Sequence, residues 1–160
     1  ESRISGDLPN LSISNAVDSI YFVPQGIKRF LIGKGFPKKY FEVDPYNYKL
    51  TADDEFISNI KKIVEDRFPI LKDMKLINSY AALYDVTPDW YPFVGKRSSI
   101  NGYFDANGGS GHGFKIGPAI GCELAKWIIN GKTEKDFEKL SFDRIEKKEL
   151  FEGAYGGNRG

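Results

Sequence analysis

The chain has 160 residues, of which 41% are hydrophobic, and this is enough to bury a sizeable core. Its 23 lysine and arginine residues nearly balance 22 aspartate and glutamate residues, so no basic stripe is available for a nucleic-acid backbone. No apolar run approaches the roughly 20 residues of a membrane-spanning helix, and the first residues carry no signal-peptide pattern. The composition predicts a soluble, cytoplasmic protein with no nucleic-acid partner and no membrane span.

The cysteine and histidine content limits the chemistry further. A single cysteine, Cys122, excludes an intramolecular disulfide, and with one histidine, His112, a Cys/His zinc site is excluded too. No metal is predicted, and Cys122 is expected to be a small buried packing residue. Glu1 is neither Met nor the start of a recognisable element, which suggests a fragment.

The N-terminal part of the chain predicts a β-hairpin and then an amphipathic helix. β-prone runs at residues 19–23 and 30–33 flank a loop that begins at Pro24, which favours their pairing. Thr51 can cap a helix that Pro69 ends, with apolar side chains at every fourth position. Those side chains are Phe56, Ile60, Val64 and Phe68. The helix should therefore lie on the sheet.

The C-terminal part predicts a strand, a glycine loop and a helix, followed by charged residues. The predicted elements are a long strand at 75–86, a short strand at 102–106, a loop at 107–113, a helix from Pro118 to Asn130 and a short helix at 133–140. The charge run at 132–148 is expected to form solvated helix faces and ends.

Four glycines between positions 108 and 113 allow the loop backbone to adopt positive φ and to approach a flat ligand closely. The helix that follows offers unsatisfied N–H groups and the positive end of its dipole to an electron-rich group. The combination suits the edge of a cofactor, although a plain tight connection would use the same glycines. The loop is not the G-x-G-x-x-G of a dinucleotide-binding unit, since no acidic residue follows a second strand about 20 positions on.

Several segments resemble motifs of one flavoenzyme family. Residues 110–115, Ser-Gly-His-Gly-Phe-Lys, with the Pro-Ala-Ile-Gly at 118–121, resemble the closing flavin-contact motif of the D-amino-acid oxidase, sarcosine oxidase and glycine oxidase family. Residues 82–95 resemble the strand and turn that cross beneath the flavin, and residues 21–33 are a looser match. The chain therefore resembles the C-terminal part of an FAD-dependent oxidoreductase.

The resemblance implies an α+β fold. A large mixed, mainly antiparallel sheet backed by helices would form a substrate domain, and a terminal strand, loop and helix would belong to an FAD-binding domain. Residues 1–95 would be the substrate-domain part, 96–145 the C-terminal part of the FAD-binding domain and 146–160 a flexible tail. The N-terminal FAD-binding segment, which holds most of the cofactor in the family, would be missing from this chain.

The resemblance also implies site residues. Lys115 matches a lysine beside the flavin that pairs with the substrate carboxylate in sarcosine oxidases, although a lysine at a loop end can also simply reach solvent. Tyr84 and Tyr21 match positions that line the substrate cavity, and either could instead be ordinary sheet packing. The implied cofactor contacts are Gly109, Ser110, Gly111, His112, Gly113, Phe114 and Lys115. Within them, His112 would order the loop rather than act as an acid or base.

The implied reaction is oxidation of the C–N bond of a small amino acid or secondary amine by hydride transfer to flavin. Ala82 stands where sarcosine oxidase carries a cysteine linked to the flavin, so FAD would be held non-covalently. The lysine that activates oxygen in that enzyme falls on Leu31, which favours a dehydrogenase over an oxidase. The alternatives are a family dehydrogenase acting on a hydroxy acid or polyol phosphate, and a non-catalytic subunit that keeps the fold.

Overall fold

The computed structural model describes residues 11–26, 28–35 and 41–152. The elements are β1 (Ile13–Asn15), β2 (Ile20–Pro24), β3 (Phe30–Lys34), α1 (Asp54–Arg67), a 3₁₀ turn (Pro69–Leu71), β4 (Phe93–Lys96), β5 (Phe104–Asn107), α2 (Gly113–Asn130), α3 (Lys135–Glu138) and α4 (Asp143–Glu146). The chain divides into two compact units, Glu1–Leu83 and Tyr84–Gly160. The α+β class is confirmed, and the strands pair antiparallel in both units.

The first unit is built on a sheet with the strand order β1-β2-β3. Phe22 pairs with Ile32 and Tyr21 with Gly33. Successive side chains of a strand point to opposite faces, so Ile20 and Phe22 enter the core while Tyr21 points to the other face. The hairpin predicted from residues 19–23 and 30–33 is confirmed.

Helix α1 closes the core of the first unit. Its Ile60 and Val64 are buried in one cluster with the inward side chains of β2. The helix begins at Asp54 with Asp53 as N-cap, so the predicted cap at Thr51 is wrong. The extended backbone of Asp53, with φ −77° and ψ 151°, is the conformation that an N-cap residue needs. The predicted end of the helix at Pro69 is confirmed, because proline cannot continue the hydrogen-bond ladder.

Residues 75–86 form no strand, so this prediction is wrong. The Ala81 N–H donates to the Leu50 carbonyl at 2.8 Å, but no ladder of such bonds is present among the described residues. The apolar side chains Leu76, Ile77 and Tyr80 are 62%, 64% and 63% exposed. A strand requires a neighbouring strand that presents its N–H and C=O groups, and an apolar pattern alone does not supply one.

The second unit places helix α2 on the pair β4–β5. Val94 pairs with Ala106 and Gly95 with Asp105. Trp127 of α2 is 7% exposed and covers Gly95, and the Phe104 and Phe137 rings meet it edge-on at 5.8 Å and 6.4 Å. The predicted order of strand, glycine loop and helix is confirmed.

Two details of α2 differ from expectation. The helix begins at Gly113 rather than Pro118, because a proline in the second turn removes one intrahelical hydrogen bond without ending the helix. Cys122 is exposed rather than buried. It lies five positions before the buried Trp127, which places it about 140° away around the helix axis. None of the described helices is long and apolar enough to cross a membrane.

Part of the predicted tail, residues 153–160, lies outside the described residues. Before it, the Phe151 ring packs on the Tyr91 ring with a centroid distance of 4.4 Å. Strand β1 and helix α4 were missed in the sequence, because elements of three or four residues are too short to show a periodic pattern.

Replacing Gly95 by Ala should destabilise the second unit by about 2–4 kcal/mol, since overpacking adds to backbone strain. Gly95 has a φ of +131°, and a Cβ there would overlap the Trp127 ring. Gly102→Ala is the matched control, because Gly102 has a φ of +73° but no heavy atom within 4 Å of the added Cβ. That control should cost about 1 kcal/mol. Equilibrium urea unfolding measures both, and equal costs would contradict the packing of Trp127 on Gly95.

Candidate functional site

The glycine loop, residues 108–113, joins β5 to α2. Gly108 and Gly111 have φ values of +67° and +83°. A Cβ at Gly108 would overlap the Thr87 side chain, and one at Gly109 would lie 2.9 Å from the Gly113 Cα. The chain's own atoms therefore require glycine at Gly108 and Gly109, whether or not a ligand binds.

Ser110 holds the loop from inside. It is 1% exposed and has a φ of +47°, which is uncommon for a residue with a side chain. Its Oγ accepts the Thr87 N–H at 3.1 Å, and its one proton can go to the Gly108 carbonyl or to Thr87 Oγ1, each 3.3 Å away. Ser110 as a whole therefore offers almost no surface to a ligand, and it supports the loop from inside.

Asp85 ties the outer side of the loop to the preceding segment. Its Oδ2 accepts the Gly109 N–H at 2.9 Å, and its carbonyl accepts the Ser110 N–H at 3.3 Å. The His112 N–H donates to the Gly109 carbonyl at 2.8 Å, so the half-buried His112 completes a tight turn immediately before α2. The loop conformation is thus set by hydrogen bonds that the sequence pattern did not reveal.

The N-terminus of α2 offers groups that a ligand could use. Its first turn has no acidic residue, and no side chain of the described residues caps it. Its N–H groups and the positive end of the helix dipole are therefore available. A Cβ at Gly113 would have no heavy atom within 4 Å, so the space beside this glycine is open. Phe114 and Lys115 are both exposed, and Lys115 makes no ion pair within the described part of the chain.

The structure brings one of the two predicted tyrosines to the loop. Tyr84 lies against Gly111, since a Cβ on Gly111 would come within 3.1 Å of the Tyr84 ring, and this tyrosine is 52% exposed. Tyr21 belongs to the first unit, where its ring covers Gly33 across the β2–β3 pair. That contact is the sheet packing left open as the alternative role of Tyr21.

A buried ion pair lies behind the loop and was missed in the sequence. Arg144 Nε donates to Asp89 Oδ2 at 2.8 Å and Nη2 to Asp89 Oδ1 at 2.9 Å, and both side chains are at most 2% exposed. Arg144 falls in the charge run expected to be solvated, so for this residue the expectation is wrong. The arginine is buried because a backbone carbonyl, an aspartate and the ring of Phe93 surround it.

The charge state of Asp89 follows from its partners. Burial alone would raise the pKa of this carboxyl, but the hydrogen bonds from Arg144 and from the Tyr91 and Phe151 amides outweigh burial and lower the pKa. Asp89 is therefore an ionised structural group.

The fold and the loop define a class: an α+β protein in which a glycine loop opens a helix with an uncapped positive end. The FAD dependent oxidoreductase family matches residues 3–127, and the chain belongs to this family. The resemblance derived from the sequence motifs is thereby confirmed.

Three comparisons illustrate the relationship. Mitochondrial sarcosine dehydrogenase of Mus musculus is 31% identical over 89% of this chain and 16% of that protein. Glycine oxidase of Bacillus subtilis (strain 168) is 25% identical over 82% of this chain and 33% of that protein. The crystal structure of L-proline dehydrogenase from P. horikoshii has a TM-score of 0.71 and 31% identity, covering 85% of this chain and 35% of that one. The chain thus spans about a third or less of each of these proteins.

Proposed function

We propose that this chain carries the flavin-ring contacts and the substrate-carboxylate site of an enzyme that oxidises the C–N bond of a small amino acid or secondary amine. The observation that supports this most is the open backbone beside Gly113 at the uncapped start of α2, with Lys115 two residues on. A flat, electron-rich ring edge fits such a position, because no side chain blocks it and the helix dipole favours negative charge. FAD, when bound, supplies the hydride acceptor.

The family relatives support the substrate class. Sarcosine dehydrogenase, glycine oxidase and L-proline dehydrogenase are each named for an amino acid with a carboxylate next to its amine. A substrate of that kind needs one positive group to hold the carboxylate so that the C–N bond faces the cofactor. Lys115 is the proposed group, because it is exposed and makes no ion pair within the described residues.

The other site residues have more limited proposed roles. The backbone of the loop from Gly109 to Phe114 would contact the ring system, with Ser110 acting from inside the loop, and His112 would keep the loop in shape. Tyr84 would form a wall of the cavity beside Gly111, since its ring already lies there. Tyr21, in the substrate-domain part at residues 1–95, is proposed to line a substrate cavity, the role that the family resemblance implies. Residues 96–145 would be the returning part of the FAD-binding domain, with 146–160 as a tail.

The mode of FAD binding is also part of the proposal. Ala82 offers no nucleophile for covalent attachment, so the cofactor would be held non-covalently. The loop and the start of α2 suit the ring end, and a segment not represented in this chain would hold most of the cofactor. We place the protein in the cytoplasm. We favour a dehydrogenase over an oxidase, because Leu31 stands where a lysine activates oxygen in sarcosine oxidase.

Replacing Gly113 by Val tests whether flavin lies beside this glycine. In the complete FAD-binding protein we expect the dissociation constant for FAD to rise by about ten-fold or more, because the side chain would occupy the space of the ring. The fold should tolerate the change, since the chain's own atoms leave that space open. Isothermal titration of the apoprotein with FAD gives the constant.

Ala125→Val is the matched control for this measurement. Ala125 is exposed on the same helix, outside the motif and about 18 Å further along the helix axis. Valine at Ala125 should leave the FAD affinity within about two-fold, since the ring end is remote from it. Equal affinity of wild type and Gly113→Val would contradict the proposed position of the flavin.

A further inference from the structure

We propose that Arg144, which lies in α4 and away from the glycine loop in sequence, is a positioning residue that fixes the loop conformation. It would act through a chain of buried and partly buried hydrogen bonds formed by Asp89, Tyr91, Thr87 and Ser110, named here the Arg144 relay. The link from this relay to cofactor binding rests on the proposed function. The relay itself stands on contacts within the second unit.

The first part of the relay is the guanidinium of Arg144. Nε and Nη2 bind both oxygens of Asp89, and Nη2 also donates to the Tyr91 carbonyl at 2.7 Å. A planar guanidinium offers its donors in one fixed arrangement, so these bonds define the orientation of residues 89–91. The Tyr91 N–H donates to Asp89 Oδ1 at 3.1 Å, which closes the turn on itself.

The second part joins that turn to the loop. Thr87 Oγ1 donates to the same Tyr91 carbonyl at 2.8 Å and lies 3.3 Å from Asp89 Oδ1. The Thr87 N–H in turn donates to Ser110 Oγ, and the Thr87 methyl group occupies the place of a side chain at Gly108. Thr87 and Ser110 are 4% and 1% exposed, so water cannot replace these bonds without opening the structure.

The Arg144 relay explains two unusual features of the site, the positive φ of Ser110 and the buried Arg144–Asp89 ion pair. Ser110 keeps a left-handed φ of +47°, and its Oγ is held by the turn that Arg144 orients. A strained backbone of this kind persists only when surrounding contacts determine it. A buried ion pair often adds little stability compared with apolar side chains of the same volume. Apolar side chains could not, however, fix the orientation of residues 89–91 as the Arg144 hydrogen bonds do.

Arg144→Met and Arg97→Met form a matched pair of variants that tests the relay. Arg97 belongs to the same unit and binds a buried aspartate too, with Nε 3.1 Å from Asp105 Oδ2, but its guanidinium stacks on Phe142 and contacts no residue of the relay. Amide hydrogen exchange, followed by mass spectrometry on the complete protein without flavin, reports the opening of residues 107–113.

We expect Arg144→Met to accelerate exchange in the loop by about ten-fold or more relative to wild type, and Arg97→Met to leave the loop close to wild type. Equal acceleration by the two variants, or no acceleration by Arg144→Met, would overturn the relay. The FAD dissociation constant of the same variants separates the two proposals. A looser loop with unchanged FAD affinity supports the relay and overturns the proposed flavin contact, while a looser loop with weaker affinity supports both.

Thr87→Val and Thr87→Ser test the relay if Arg144→Met does not fold. Valine keeps the shape of threonine but removes the hydroxyl that donates to Tyr91, whereas serine keeps the hydroxyl. The relay predicts faster loop exchange in Thr87→Val and restoration toward wild type in Thr87→Ser. Faster exchange in the serine variant than in the valine variant would overturn it, because the methyl contact with Gly108 would then be the determinant.

Discussion

Lys115→Met should slow flavin reduction by a carboxylate substrate, and weaken binding of that substrate, by about tens to thousands of fold. This is the scale of removing one preorganised charge from a site of low dielectric. Methionine keeps the length and apolar part of the side chain, so the change removes little except the charge. Rapid mixing of the FAD-loaded complete protein with substrate in the absence of oxygen measures both the binding constant and the reduction rate.

Lys126→Met is the control for this loss of charge. Lys126 lies on the same helix, is 58% exposed at its side chain and pairs with Glu123 at 2.5 Å. Replacing Lys126 should leave the reduction rate within about two-fold of wild type, and both variants should unfold at nearly the same urea concentration as wild type. Equal kinetic effects of the two variants would show that the contribution of Lys115 is one of net charge rather than of position.

Asp89→Ala should lower the free energy of unfolding by about 3–5 kcal/mol, because it leaves the Arg144 charge buried without a partner. The carboxylate accepts two bonds from Arg144 and others from the Tyr91 and Phe151 amides, so all of these groups lose an acceptor. Asp18→Ala is the control, because Arg67, the partner of Asp18, is 50% exposed and a pair in such a position contributes little to stability. Urea unfolding at pH 7 measures the loss of unfolding free energy in Asp89→Ala and in Asp18→Ala. A similar loss in both variants would contradict the burial of the Asp89–Arg144 pair.

The Asp89–Arg144 pair predicts that the free energy of unfolding depends on pH. The pKa of Asp89 is lowered in the folded protein, so its contribution is complete above the unfolded value of about 4 and is lost as the pH falls below it. The difference in stability between wild type and Asp89→Ala should therefore shrink below about pH 4. A constant difference down to the acid transition would mean that the folded carboxyl is not held ionised by Arg144.

The hairpin, helix α1 and the order of strand, glycine loop and helix could be predicted because each depends on local signals. Pro69 ends α1 and the glycines mark the loop, and these effects need no distant partner. The strand predicted at residues 75–86 failed for the opposite reason. An apolar pattern predicts which face of a strand is buried. It does not identify the neighbouring strand that the hydrogen-bond ladder requires.

The candidate site divides in the same way. The motif at residues 110–115 pointed to the loop, and Lys115 and Gly113 could be named from it. The contacts that shape the loop could not be predicted from the sequence. They involve Asp85, Thr87 and Arg144, which are distant from the loop in sequence and meet it only in the fold. Arg144 lies in a charge run whose residues 146–149 are exposed lysines and glutamates, and no sequence pattern distinguishes it from them.

The proposed function requires that a small amino acid reduce a flavin whose ring lies beside the start of α2. Visible absorbance of the FAD-loaded complete protein tests this during anaerobic addition, in turn, of sarcosine, glycine, L-proline, a hydroxy acid and a polyol phosphate. We expect at least one of the three amino acids to bleach the flavin band, and Lys115→Met to bleach much more slowly. Bleaching only by a hydroxy acid or a polyol phosphate, or by none of these compounds, would contradict the proposed function.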